Sequence, residues 1–137
     1  MKALAAIGLI AGVMAFTAAA PAQDLVMAPS HVLPAASIHL NLGTDHNGNT
    51  TVDLKAQHMA QPSSLNPPQD VYVVWVQRPN QRPQRKGQLK IDNDLNGELK
   101  FITSERRFEV FITAENDPNV AEPSGTEVAR SAVARKQ

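Results

Sequence analysis

The sequence predicts an all-β fold, an antiparallel immunoglobulin-like β-sandwich of about seven strands, and three observations carry that expectation. About seven short runs alternate apolar and polar residues or are rich in β-branched and aromatic ones. Clusters of Asn, Asp, Gly and Pro separate the runs. No stretch after residue 22 shows helical periodicity. A closed barrel uses the same alternation and differs only in whether the sheet edges meet, so it stands as the alternative.

Residues 1–22 read as a signal peptide. Met1-Lys2 supplies a charge, Ala3 to Phe16 an apolar run, and Ala20-Pro21-Ala22 the small-residue spacing of a processing site, with Gln23 as the first mature residue. An uncleaved anchor is the competing reading of the same run. Cleavage implies a secreted or periplasmic protein that does not span the membrane. Residues 23–35, with Pro29 and Pro34, read as a flexible lead-in.

The sandwich domain is expected over residues 36–133. Ala36 to Gly43 places Ile38, Leu40 and Leu42 on one face, and Thr50 to Ala56 places Val52, Leu54 and Ala56 likewise. Asn47-Gly48 lies between them, so the pair is a hairpin. The run Gln57 to Gln69 carries Pro62, Pro67 and Pro68, too many for a sheet interior, and is a crossing. It leads into Val71-Tyr72-Val73-Val74-Trp75-Val76, whose two faces are both apolar, as in a strand buried in mid-sheet. Trp75 is the expected plug of the core, with Val73 beside it, and Tyr72 and Val74 face the other way.

Arg78 to Gly87 is too rich in proline and charge to be buried and reads as a loop. Gln88 to Asp92 and Glu98 to Thr103 form a second hairpin around Asn93 to Gly97. Phe108 to Glu115 turns Phe108, Val110 and Ile112 into the core. Asn116 to Asn119 and Glu122 to Gly125 are turns, Thr126 to Val133 holds the last strand, and residues 134–137 are a basic tail.

Three segments together resemble a known family. The strand Val71 to Val76 leads through a Pro-rich loop to Gly87-Gln88-Leu89; Phe108 to Glu115 runs into Asp117-Pro118-Asn119; Pro123-Ser124-Gly125-Thr126 precedes the last strand. From Val71 to Val128 this pattern is similar to the extracytoplasmic C-terminal domain of anti-sigma-K factors. Their sigma-binding domain and transmembrane helix have no counterpart in the pattern. The resemblance therefore implies a free-standing relative of the sensor module and carries no expectation of sigma-factor binding.

The composition narrows the function. With 13 basic and 13 acidic side chains, the chain lacks the footprint of a nucleic-acid or polybasic membrane binder. It has no cysteine for a disulfide, thiolate metal site or nucleophile. No Ser lies in a G-x-S-x-G elbow and no Gly-rich phosphate loop occurs, so no enzyme and no cofactor is expected. Glu115 and Asp117 could be a paired acid and base of the kind glycosidases use, but acids beside Pro118 at a strand end are more simply turn formers with solvated charge. Asp45 to Asn49 and Asp92 to Gly97 have calcium-like alternation of oxygen ligands, but position twelve from Asp45 is Ala56 where an EF-hand needs Glu.

Two surfaces remain as partner-binding candidates. Arg78, Arg82, Arg85 and Lys86 concentrate positive charge and suit an envelope protein or an anionic polymer; a solubilising loop is the simpler role. The second, the face around Tyr72, suits a protein partner if uncovered. The expectation is a non-enzymatic envelope interaction module. The alternative is a periplasmic small-ligand or metal-binding protein using His31, His39, His46, His58 and the Asp45 to Asn49 turn.

Overall fold

Residues 23–135 are described by a computed structural model; the expected signal peptide and the last two residues lie outside them. The chain forms β1 (Gln23–Pro29), β2 (Ser37–Thr44), β3 (Thr50–Gln57), β4 (Val71–Gln77), β5 (Gln84–Leu89), β6 (Gly97–Thr103), β7 (Arg107–Glu115), β8 (Thr126–Arg130) and β9 (Ala134–Arg135), with a single 3-10 turn at Pro62–Ser64. Every pairing is antiparallel.

The strands run in the order β5-β4-β7-β8-β1-β2-β3-β6, with β9 joined to β7 beside that path. β1 is the strand that makes this one sheet. Its first part, Gln23 to Met27, pairs with β2, and its last residues, Ala28 and Pro29, pair with β8. The outermost strands then approach each other. Ile91 bridges to Gly97, and Lys86 Nζ donates to the Ile102 carbonyl at 3.1 Å. The result is all-β and nearly barrel-shaped.

The expectation of about seven strands in a sandwich is not confirmed. The lead-in contains β1, because Leu25 and Met27 turn inward while Asp24, Val26 and Ala28 alternate with them on the exposed face, and Pro29 comes only where the strand stops. The basic tail contains β9. The charged loop ends earlier than expected, so that Arg85 and Lys86 lie within β5, and that strand stops at Leu89. A bulge between Val74 and Trp75 lets β5 keep pairing with β4 across the charged residues.

The main core lies between the walls of this sheet. β2, β3 and β7 contribute Ile38, Leu40, Leu42, Val52, Leu54, Phe108, Val110 and Ile112, and β4 contributes Tyr72, Val74 and Val76. A second, smaller cluster lies on the opposite face of β4 and β7, made of Val73, Trp75 and Phe111 with Val71 and Val120 packed against it. Each large side chain so buried contributes about 1.5–3 kcal/mol of hydrophobic stabilisation. The five expected core residues are all buried, but in two places: Phe108, Val110 and Ile112 in the main core, Val73 and Trp75 in the outer cluster.

Candidate functional site

Tyr72 is buried, so it offers no surface to a partner. Its hydroxyl donates to the Ala60 carbonyl at 2.7 Å, and burial pushes its pKa up to about 12. The expected orientation of β4 is thus reversed, with the Tyr72 face turned into the core. The Trp75 face is covered on the outside. There Trp75 stacks on Phe111, their rings 6.3 Å apart, and the Arg130 guanidinium lies 4.2 Å over the Phe111 ring. Glu127 first, against the cost of burial, and Glu109 then raise the Arg130 pKa above its ordinary value.

The four cations do not form one free patch. Arg78 Nε lies 3.2 Å from Glu105, Arg82 lies 3.6 Å from Glu122, and Lys86 caps the Ile102 carbonyl. Arg85, opposite Trp75 in the β4–β5 ladder, is exposed.

Glu115 is a structural anchor. It is only 2% exposed. Its carboxylate accepts from Thr113 Oγ1 at 2.6 Å, Ser124 Oγ at 2.7 Å and the amides of Ser124 and Gly125 at 3.1 Å each. Desolvation pushes its pKa up, but the hydrogen bonds from Thr113, Ser124 and Gly125 outweigh that and leave it below the usual carboxylate value. Thr113 in turn accepts from Trp75 Nε1 at 2.9 Å. A side chain at Gly125 would collide with the Ala114 carbonyl oxygen, so only glycine lets the loop come this close. Asp117 serves its own turn, accepting from the Asn119 amide at 2.9 Å.

The two Asp-led turns are built alike. Asp45 Oδ1 accepts from the amides of Asn47 and Asn49, and Asp92 Oδ1 from those of Asp94 and Asn96, all at 2.9 Å. The first closes the β2–β3 hairpin by turn chemistry; the second closes only the Ile91–Gly97 bridge, so the expected second hairpin does not form as a paired ladder, β5 pairing with β4 and β6 with β3. His31, His39, His46 and His58 are exposed and dispersed. No group of three or more His, Asp or Glu side chains converges to hold a metal among the described residues.

The site that does emerge lies on the outer face of β1, β2, β3 and β6, and alternation creates it. Most of their apolar residues point into the main core, with Val26 and Ile102 the large exceptions, so the other parity is left to solvent. Pairing aligns Asp24, Asn41, Asp53 and Lys100 in one row across the four strands. Beside it runs a second row of Val26, His39, Lys55 and Glu98. Two open clefts of about 550 and about 500 Å³ adjoin on this face and share Asn41 and Asp53 as lining residues.

Asn41 Nδ2 donates to Asp24 Oδ1 at 2.8 Å, and Lys55 Nζ lies 3.9 Å from Asp53 Oδ2. The other Asp53 oxygen, Oδ1, is buried without a hydrogen-bond donor. Buried acceptors are nearly always paired with protein or ordered water, and the chain itself supplies no donor to this one. Gly43 packs closely across the ladder: a Cβ there would sit 2.8 Å from the hydroxyl of Thr51, a residue that borders the larger cleft. None of Asp24, Asn41, Asp53 or Lys100 stood out in the sequence. Each is the polar member of an alternating strand, and only the register brings them together.

No protein-family model and no curated protein sequence matches the chain.

Proposed function

We propose that this chain is a non-enzymatic binding module of the cell envelope that takes a polar ligand on the outer face of β1, β2, β3 and β6. The observation that carries the reading is the unpartnered Asp53 Oδ1 at the junction of two clefts. Export is part of the proposal and rests on the leader-like residues 1–22. The kinship with anti-sigma-K sensor domains rests on the three sequence segments alone. Within that kinship the fold is immunoglobulin-like, with β1-β2-β3-β6 as one layer and β5-β4-β7-β8 as the other. A non-catalytic role is supported by the saturation of Glu115, whose carboxylate is already occupied by protein donors.

This reading moves the binding surface away from the Arg78 to Lys86 segment, where Arg78 pairs with Glu105 and Lys86 caps the Ile102 carbonyl. Amide hydrogen exchange of the protein with and without an extract of its own cell envelope tests it. Protection is expected along β2, β3 and β6 and is lost when Asn41 and Asp53 are both changed to Ala. Protection confined to β5, or equal protection in the double variant, overturns it.

A further inference from the structure

We infer that the ligand of this face is a glycan, an uncharged polyhydroxylated chain lying across β1, β2, β3 and β6 along the row Asp24, Asn41, Asp53 and Lys100. The inference rests on the binding reading above and adds the chemical class.

The first argument is charge. The outer face presents Asp24, Asp53 and Glu98 beside Lys55 and Lys100, with signs interleaved across the strands. A phosphate- or carboxylate-rich polymer would meet carboxylates in the same row as its cationic partner, and a polycation would meet both ammonium groups. A neutral chain meets neither penalty.

The second argument is hydrogen bonding. Along the row run acceptor, amide, acceptor and donor: Asp24 and Asp53 only accept, Lys100 only donates, and Asn41 does both. A sugar hydroxyl both donates and accepts, so adjacent hydroxyls can serve unlike neighbours in such a row. Asp53 Oδ1 is the acceptor lacking a donor. Turning the Asp53 carboxylate only exchanges its two oxygens, so a hydroxyl arriving from solvent meets it on the Oδ2 side, beside Lys55.

The third argument is shape and apolar content. Four strands at their ordinary spacing make the row about 14 Å long, suited to several linked rings rather than one small molecule. Ile102, 53% exposed, borders the larger cleft with Phe101 and offers an apolar surface for the C–H face of a ring. The one other large apolar side chain on the face, Val26, lies at the opposite corner and is 66% exposed. A protein partner of ordinary strength needs clustered aromatic or aliphatic anchors, and this face has none.

The test is a titration of the ¹⁵N-labelled protein with neutral hexasaccharides of glucose, N-acetylglucosamine and mannose, beside hexametaphosphate and hexalysine, followed by amide shifts. Saturable shifts at Asn41, Asp53 and Lys100 with a neutral hexasaccharide are expected. Loss of one or two hydrogen bonds predicts about tenfold weaker binding in Asn41→Ala and in Lys100→Ala. Lys100→Ala guards against misfolding, because Lys100 is exposed and contributes nothing to the core. If hexametaphosphate or hexalysine moves these residues and the neutral sugars do not, the glycan assignment fails while the binding face stands. If no probe moves them and envelope extract gives no protection there, both readings fail.

Discussion

β4 with β7 and β2 with β3 are antiparallel pairs of the same sheet, yet they treat their two faces in opposite ways. β4 and β7 bury both. Tyr72, Val74, Phe108 and Val110 enter the main core, while Val73, Trp75 and Phe111 are sealed outside by Val120 and Arg130. β2 and β3 bury one face and leave a polar row on the other. One pair is therefore committed to stability on both sides. The other spends only half its side chains on the core, and its free half is where recognition can be placed.

The comparison is sharpened first by truncating Trp75. Trp75→Ala should destabilise the protein by about 3–5 kcal/mol in a denaturant titration, since the outer cluster loses its largest member. A loss near zero would mean that the outer cluster is not a second core. Next is Glu115→Ala, which leaves the donors of Thr113, Ser124 and Gly125 unpaired and should cost about 2–3 kcal/mol.

The same residue governs acid stability. Its folded pKa is depressed, so its contribution is complete above the ordinary value of 4.5 and is lost as pH falls through the folded value. Glu115→Gln should therefore be less stable than the natural protein near neutrality, with the gap narrowing below pH 4.5. A gap that stays constant through that range would remove Glu115 from the titration.

On the open pair the effects shrink. Asp53→Ser should change stability by less than about 1 kcal/mol, because the carboxylate is tied only to the exposed Lys55 at 3.9 Å, and such surface pairs contribute little. A large loss would make Asp53 structural and break the contrast. Smallest is Arg82→Ser: Arg82 and Glu122 are 90% and 70% exposed, and such pairs contribute almost nothing. Its thermal midpoint should match that of the natural protein.

The open pair was the more legible in the sequence. Ile38, Leu40 and Leu42, then Val52, Leu54 and Ala56, declare strand, inward face and hairpin at once. β4 declares a strand but hides its orientation, because Tyr72 and Trp75 lie on faces of equal hydrophobicity. The choice is made by distant partners: Ala60 for the Tyr72 hydroxyl, Thr113 for the Trp75 indole. β5 was obscured because Arg85 and Lys86 read as loop, though pairing with β4 holds them extended. The site was hidden for a similar reason. Asp53 is an ordinary polar residue until its neighbours are known, and those come from β2 and β6, with register set by the whole sheet.

One feature of β1 reaches beyond the finished structure. Because its end pairs with β8, residues 28 and 130 must meet before the two halves of the sheet become one. A chain made or exported amino end first cannot close that join until β8 has emerged. Until then β1 has an open margin and nothing to complete it. Such distant pairing slows folding, and the interval before β8 emerges is the period in which a chaperone matters most.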